Sequence, residues 1–346
     1  MPKPIRALLV ATAVAASGCA SDAVESELST PSASASSAPA GPTVTIIGEA
    51  PVMTRELIGG TTAYLLPSAF SFEGGVYHAW VVAFGEEPGD QRPIHLISTD
   101  AITWEVANVD LLTELGVEYS RPGPIPSSFI ATADDVWSMF FWGTEAPDED
   151  RPHIWRATAG DPLGSWTVDP EPALSRGPIE AWDGRSVEFP SVVAKDDGYL
   201  MVYDGSGFRG PSAGSFGVAT STDGVSWTKI ADPVMTPGFC GEFDRAGLSQ
   251  GRLLHLDDGG YLMPYSGHDG GDVGARMGLA TSRDGTTWTC LSSEPILVAA
   301  DIPDSGGIHS FAAALGADGQ PLLLVESLVD DSAASEIWLA TIDPLP

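Results

Sequence analysis

The chain has 346 residues, of which 43% are hydrophobic, enough for one large core or two ordinary domains. Its 47 acidic residues outnumber 16 lysines and arginines and give a formal net charge of -31 at pH 7. Such a surface repels phosphate backbones and anionic lipid headgroups, so the composition argues against nucleic-acid binding and against adhesion to an anionic membrane.

The first nineteen residues have the form of a secretory signal. Lys3 and Arg6 precede the apolar run ALLVATAVAA, which is too short to span a bilayer. Small residues then lead to Cys19 in ASGC, which resembles the site where a bacterial lipoprotein is cut and lipidated. The alternative is an ordinary signal peptide with an incidental cysteine. The pattern favours an extracytoplasmic protein that is lipid-anchored to the bacterial cell envelope and meets the membrane through that anchor only.

The next segment, residues 20–42, is rich in Ser, Ala and Pro and holds almost nothing to bury. It predicts a flexible tether. We therefore expect a signal peptide over residues 1–19, a disordered linker over residues 20–42 and a single folded domain, monomeric, over residues 43–346.

Two further cysteines, Cys240 and Cys290, lie in the folded domain. Outside the cytoplasm disulfides persist, so the two side chains are candidates for a bridge. Their spacing fixes no geometry, and two separate buried thiols are an equally good interpretation.

One motif recurs along the folded domain. GVATSTDGVSW (217–227) returns as GLATSRDGTTW (278–288). Five copies carry an aspartate at the same place, 61, 62, 61 and 59 residues apart: Asp100, Asp161, Asp223, Asp284 and Asp343. A second landmark keeps the same period, with 62 residues between successive members of Met139, Met201 and Met263. Two landmarks with one period indicate a repeat architecture.

Each repeat has the pattern of four short strands. In the third, SVVAK is followed by the turn pair Asp197-Gly198, the strand YLMVYDG, the strand GVATS, a turn at Asp223-Gly224 and the strand SWTKI. The motif aspartates are therefore expected to hold turns rather than to catalyse. Radially repeated four-stranded units predict an all-β fold, a five-bladed β-propeller.

The fifth repeat stops at Pro346, before its last strand. VTIIGEAPVMT (44–54) echoes WTKIADPVMT (227–236), which ends the third repeat. We expect the N-terminal strand to complete the last blade and so remove two open sheet edges.

Five units with S-x-D-G-x-x-W turns and Y-x-M-x-Y strands resemble the five-bladed glycoside hydrolases. These include the arabinanases and β-xylosidases of glycoside hydrolase family 43 and the invertase and levansucrase enzymes. The turn of the six-bladed sialidases has one more residue between Asp and Gly. The resemblance implies a sugar in a funnel on the propeller axis, with carboxylates at the starts of innermost strands on different blades. One donates a proton to the leaving oxygen, and another acts as base or nucleophile.

By this resemblance Glu188, in AWDGRSVEFPSVV (181–193), is the carboxylate at the start of an inner strand. The matching positions in the other blades carry no acid: Leu66, Ile125, Ser249 with Gln250, and His309 with Ser310. Further catalytic acids would have to come from entry loops, where Asp183, Asp244 and Glu118 are the candidates. An apolar funnel would raise the pKa of the proton donor.

Other funnel candidates have a structural alternative. Trp182 would stack on a sugar or pack between blades. Arg185, Arg121, Arg209 and Arg245 would pair with nearby acids, or else bind an anionic group of the substrate. His268 and His309 would donate to sugar hydroxyls; no metal site is expected of them. A structural Ca²⁺ on the axis suits an acidic propeller, although no loop has a recognisable calcium spacing.

Two functions stay open on the sequence. One is an envelope-anchored glycosidase that hydrolyses oligo- or polysaccharides, such as arabinan or xylan fragments, in the axial funnel. The other is a non-catalytic carbohydrate-binding or surface-interaction propeller, which the missing acids favour. A funnel plugged by Leu66, Ile125 and Phe189 is a third, structural possibility.

Overall fold

The computed structural model describes residues 41–59, 64–85, 91–108, 124–132, 136–144, 151–208, 214–271, 274–329 and 334–345. The predicted signal peptide and nearly all of the linker lie outside these residues. Two short 3-10 helices, Glu242–Asp244 and Ala299–Asp301, are the helical segments named in the described part of the chain. No helix there is long and apolar enough to cross a membrane.

Everything else that is regular is strand. In chain order the strands are β1 (Thr43–Ile46), β2 (Tyr64–Glu73), β3 (Val76–Phe84), β4 (Gln91–Ser98), β5 (Glu105–Asn108), β6 (Ile125–Ala131), β7 (Trp137–Gly143), β8 (His153–Ala159), β9 (Thr167–Val168), β10 (Ser186–Lys195), β11 (Gly198–Ser206), β12 (Ser215–Ser221), β13 (Thr228–Lys229), β14 (Gly247–Ser249), β15 (Leu254–His255), β16 (Tyr261–His268), β17 (Arg276–Ser282), β18 (Trp288–Cys290), β19 (Ser305–Leu315), β20 (Pro321–Val329) and β21 (Ser335–Asp343).

These strands form five antiparallel sheets, the blades of the predicted five-bladed propeller. Blade 1 is β2 to β5, blade 2 is β6 to β9, blade 3 is β10 to β13, blade 4 is β14 to β18, and blade 5 is β19 to β21 with β1. The inner strand of blade 4 is split into β14 and β15, which both pair with β16. The first strands of the blades contact one another around the axis, so residues at their starts meet there.

The predicted ring closure is confirmed. Strand β1 pairs antiparallel with β21, from Thr43 opposite Asp343 to Ile46 opposite Ala340. Met53 makes a further bridge to Ile337. The N-terminal segment therefore supplies the fourth strand of blade 5, and the sheet edge of β21 is covered.

Four of the five recurrent motif aspartates lie in turns, as their sequence context predicts, whereas the fifth, Asp343, ends strand β21 opposite Thr43. The Oδ1 of Asp223 accepts hydrogen bonds from the backbone N–H groups of Val225 and Ser226, both at 2.8 Å. These bonds stabilise the charged carboxylate and lower the pKa of Asp223 to about 2. Gly224, at φ 71°, supplies the positive dihedral that the turn needs. Asp100 and Asp284 make the same pair of bonds in blades 1 and 4.

The hydrophobic core lies between neighbouring blades. Blades 3 and 4, for example, share a cluster that includes Val218, Phe216 and Met263. On the outer part of blade 4, Cys240 and Cys290 form a disulfide, with their Cα atoms 5.4 Å apart. This resolves the alternative that the sequence left open in favour of the bridge.

Candidate active site

Equivalent positions at the start of the first strand and near the end of the second strand of a blade pair with each other at one end of the axis. The facing pairs are Leu66 with Val82 in blade 1, Ile125 with Trp142 in blade 2, Glu188 with Asp204 in blade 3, and Ser249 with Ser266 in blade 4. In blade 5, His309 reaches Glu326 by a hydrogen bond of 3.2 Å. Blades 1 and 2 are thus apolar at this level. We call the six residues of blades 3 to 5 the polar arc.

A cavity of about 540 Å³ opens between blades 3 and 4 at the polar arc. Its wall includes three residues predicted from the sequence, Glu188, Arg185 and His268, together with Asp204 and Ser249. The volume lies in the range typical of small-ligand sites. The structure therefore brings together part of the predicted site, in a pocket shared by two blades.

Local backbone geometry turns Glu188 towards this cavity. A β-bulge interrupts the pairing of β10 with β11 between Glu188 and Ser191, and Phe189 within it has a φ of 46°. Bulges redirect side chains and are common beside active sites. Glu188 is partly exposed to the cavity. Its surroundings remove enough water to raise the pKa of its carboxyl, although a hydrogen bond to Ser186 and the charge of Arg185 oppose this.

Asp204, which the sequence analysis missed, lies directly opposite Glu188 in the pairing of β10 with β11. It is only 6% exposed, and its Oδ2 accepts a hydrogen bond of 2.8 Å from the backbone N–H of Gln250. Its Oδ1 has no hydrogen-bond partner among the described residues. Burial first, and then the charge of Glu188, raise the pKa of Asp204 well above its ordinary value. Two such neighbouring carboxyls do not readily ionise together, because the charge of either one raises the pKa of the other.

The buried carboxyl of Asp204 should make folding sensitive to pH. Below the unfolded-state pKa of 3.8, the carboxyl is protonated in both the folded and the unfolded protein, and its contribution to stability is fully present. Above 3.8 the unfolded state loses its proton first, so that contribution falls until the pH has passed the higher pKa of the folded state. We expect the free energy of unfolding of the wild type, relative to Asp204→Asn, to fall by up to about 1.4 kcal/mol per pH unit in this window. Urea denaturation at several pH values measures it. For the exposed control Asp232→Asn, the free energy of unfolding should change with pH as it does in the wild type. If Asp204→Asn also showed the pH dependence of the wild type, the raised pKa of Asp204 would be contradicted.

Blade 5 repeats the arrangement of blade 3 with a histidine. The side chain of His309 is 50% exposed, whereas that of Glu326 is fully buried. Glu326 Oε2 accepts hydrogen bonds from Ser310 Oγ at 2.5 Å and from His309 Nδ1. The bond to Glu326 raises the pKa of His309 because it stabilises the imidazolium. His309 was predicted as a funnel residue; Glu326, on the second strand, was not.

The axis below the polar arc is filled by a buried arginine. Arg252 is 2% exposed and follows Gln250, whose φ of 54° marks the break between β14 and β15. Its Nε donates to the carbonyl of Phe311 in blade 5 at 3.0 Å, and its Nη1 to that of Ser127 in blade 2 at 3.5 Å. Burial lowers the pKa of Arg252 to about 10, which leaves it charged.

The axial Ca²⁺ considered from the sequence does not fit these residues. The guanidinium of Arg252 already places a positive charge on the axis and uses two of the carbonyl oxygens that a calcium ion would need. Among the described residues, no three His, Cys, Asp or Glu side chains are grouped to hold a metal ion.

Asp183 and Asp244, proposed as catalytic acids from entry loops, do not line the cavity of Glu188. Asp183 is buried, pairs with Lys229 at 2.5 Å and accepts a hydrogen bond from Tyr203 at 3.3 Å. Asp244 is buried in the same way one blade on, and accepts a 2.8 Å hydrogen bond from Tyr265. Both side chains tie a loop to the second strand of a blade, which is a structural role.

Trp182 takes the structural alternative as well. Its ring stacks on Tyr203 with centroids 5.8 Å apart, and its Nε1 donates to the carbonyl of Ala231 at 3.0 Å. One face of the ring is thus covered by Tyr203, and the side chain packs within blade 3. The remaining predicted site residues, Arg121, Arg209, Glu118 and Cys19, lie outside the described residues.

The chain matches no protein-family model and no curated protein sequence. In structure it is similar to a glycoside hydrolase, with a TM-score of 0.64 and 17% identity over 82% of this chain and 89% of the other. A structure from the GH130 family of mannoside phosphorylases, which contains glycoside hydrolases that target β-1,2 mannosidic linkages in Candida mannan, gives 0.60 and 17% over 88% and 94%.

A third similar structure is the GH32 β-fructofuranosidase of Bombyx mori, with a TM-score of 0.57 and 15% identity over 80% of this chain and 59% of the other. At these identities the similarity concerns the fold. It confirms the expected resemblance to the propellers of glycoside hydrolases, and it does not single out family 43.

Proposed function

We propose that this propeller is a glycoside hydrolase whose proton donor is Glu188. The observation that carries the proposal is the partly exposed Glu188 carboxyl in a 540 Å³ cavity, with a raised pKa and a buried carboxyl, Asp204, directly behind it. A glycosidase needs an acid that still holds its proton near the working pH, and a desolvated cavity wall supplies one. Asp204, which is 6% exposed and paired with Glu188 across two strands, acts in this proposal through Glu188 as a positioning residue.

The second chemical role, accepting a proton from water, falls in this proposal to His309, which is not itself in the wall of this cavity but lies near His268, which is. Its Nδ1 is held by Glu326, so its Nε2 is directed away from that carboxylate and is available to a water molecule. As the glycosidic C–O bond breaks, the leaving oxygen takes the proton of Glu188. The oxygen of water bonds to the same carbon and passes a proton to His309 Nε2. Solvent then restores both groups.

A non-catalytic carbohydrate-binding propeller is the second candidate, and one observation favours it. Blades 1 and 2 present Leu66 and Ile125, both at most 5% exposed, where the resemblance to glycoside hydrolases implies carboxylates. Buried apolar side chains at these positions cannot take or give a proton, so the two blades supply no acid or base at this level.

The location and the substrate are proposals of the same kind. We propose that Cys19 anchors the protein to the cell envelope and that the propeller acts there on oligo- or polysaccharides. The names of the similar structures, which include a fructofuranosidase and hydrolases of β-1,2-mannosidic linkages, support a carbohydrate and leave the sugar open.

The proposal is tested by turnover and binding on the same compounds. The full chain is incubated with aryl α- and β-glycosides of the common hexoses and pentoses and with plant and fungal polysaccharides, and is also applied to a glycan array. We expect release of the aryl group or of reducing ends from at least one compound. Binding to glycans that are never cleaved would overturn hydrolysis and support the carbohydrate-binding alternative.

A further inference from the structure

Arg185 holds a fixed position on the wall of the candidate cavity. Its backbone N–H donates to the carbonyl of Ser206 at 2.9 Å, which ties the entry loop to the end of β11. The side chain is exposed, and it lines the same cavity as Glu188, Ser249 and His268. The guanidinium is therefore in reach of whatever occupies the cavity.

Within the described residues, Arg185 is one of the few basic side chains that make no ion pair with an acidic one. The sequence has 47 acidic residues for 16 basic ones, so pairing is the default for a basic side chain. Neighbouring arginines follow that default: Arg245 pairs with Glu242, Arg276 with Asp269 and Arg283 with Asp258. Within the described part of the chain the side chain of Arg185 makes no ion pair and no hydrogen bond. The N–H donors of its guanidinium are therefore available to a ligand.

The chemistry of a guanidinium selects the ligand. Its planar donors match a carboxylate with two parallel, charge-assisted hydrogen bonds, and the hydroxyl groups of a sugar carry no charge to strengthen such bonds. Ser249 Oγ and His268 Nε2, 2.9 Å apart on the facing wall, offer donors and acceptors for hydroxyl groups. We infer that the cavity binds a glycan carrying a carboxylate, a uronic acid residue, and that Arg185 pairs with that carboxylate. The inference rests on the proposed action on glycans.

An acidic sugar would also prepare the proposed proton donor. The charge of Arg185 now lowers the pKa of Glu188, against the effect of burial. A sugar carboxylate bound to Arg185 offsets that positive charge, so the Glu188 carboxyl keeps its proton more firmly. A neutral sugar leaves the charge of Arg185 as it is. The same contact thus distinguishes acidic from neutral glycans both in binding and in catalysis.

The net charge of -31 does not prevent this contact. The Debye length is about 8 Å at physiological ionic strength, so carboxylates on the far surface of the propeller are screened from the cavity. An ion pair in direct contact inside a partly enclosed cavity is screened much less. The local charge of Arg185 therefore decides the interaction.

The test compares acidic oligosaccharides with matched neutral ones. Oligomers of galacturonan, glucuronoxylan, alginate and hyaluronan are each titrated into the full chain by calorimetry, beside the same oligomer after reduction of its carboxyl groups. We expect at least one acidic oligomer to bind roughly tenfold or more tightly than its reduced form, a difference of about 1.4 kcal/mol. In Arg185→Ala the ratio should fall to about one. Arg283→Ala, an exposed arginine outside the cavity, should keep the wild-type ratio.

Ratios near one for every wild-type pair, or a preference that survives Arg185→Ala, would overturn the inference. A sulfated oligomer that binds better than its carboxylated counterpart would overturn the choice of a carboxylate. Turnover is recorded on the same samples. If acidic oligomers bind more tightly but none is cleaved, the proposed hydrolysis is overturned and the inference about Arg185 stands. If neutral glycosides are cleaved and Arg185→Ala leaves that rate unchanged, hydrolysis stands and the inference about Arg185 is overturned.

Discussion

Glu188→Gln is expected to lower kcat on glycosides with poor leaving groups by about 10²–10⁴-fold, the usual contribution of general acid catalysis. Glutamine keeps the size of the side chain and its place in the bulge of β10, but it has no proton to give to the leaving oxygen. The cost should depend on the leaving group. From a dinitrophenyl glycoside the leaving group departs as the dinitrophenolate anion and needs no proton, so Glu188→Gln should change the rate of its cleavage little.

The comparison of the two leaving groups separates chemistry from folding or binding. Loss of structure would lower both rates together, and weaker binding would raise KM for both. Glu105→Gln, on the outer strand of blade 1, removes an exposed carboxylate far from the cavity and should match the wild type on both substrates. If Glu188→Gln retained the wild-type rate on the poor leaving group, Glu188 would have no part in proton transfer.

The fold could be predicted from the sequence because the same short motif recurs once in each blade. Blades 1 to 4 each need a turn between their third and fourth strands. In blades 1, 3 and 4 an aspartate holds that turn by accepting hydrogen bonds from the backbone N–H groups two and three residues on. The turn motif therefore stays recognisable from blade to blade even where the core residues of the blades differ. The closing strand was predictable for the same reason, since residues 44–54 repeat the end of another blade.

The site was predictable only in part, because half of it depends on strand pairing. Glu188 lies at the start of an inner strand, and the resemblance to the five-bladed glycoside hydrolases pointed to it there. Asp204 and Glu326 lie on second strands, and their importance comes from burial and from the residues opposite them, which the register decides. Their signal was nonetheless present: an acid in YLMVYDG and in QPLLLVES, where other blades have Val82, Trp142 or Ser266.

Asp183 and Asp244 show the opposite error. In sequence they stand a few residues before the inner strands, which suggested the cavity. In the structure each turns away to a buried tyrosine on the second strand, Tyr203 or Tyr265. Their spacing of 61 residues and that of 62 between the tyrosines follow the blade period, which is typical of architecture rather than of a single active site.

Arg252→Met is expected to lower the free energy of unfolding by about 3–5 kcal/mol, the cost of removing one member of a buried charged network. Methionine fills much of the volume but leaves the carbonyls of Phe311 and Ser127 without their donor, and it removes the positive charge that partly offsets the burial of Asp204. Urea denaturation monitored by tryptophan fluorescence measures the change. The exposed control Arg283→Met should stay within about 0.5 kcal/mol of the wild type. A loss below about 1 kcal/mol for Arg252→Met would show that the axial arginine does not join blades 2, 4 and 5, since two orphaned buried acceptors alone should cost more than that.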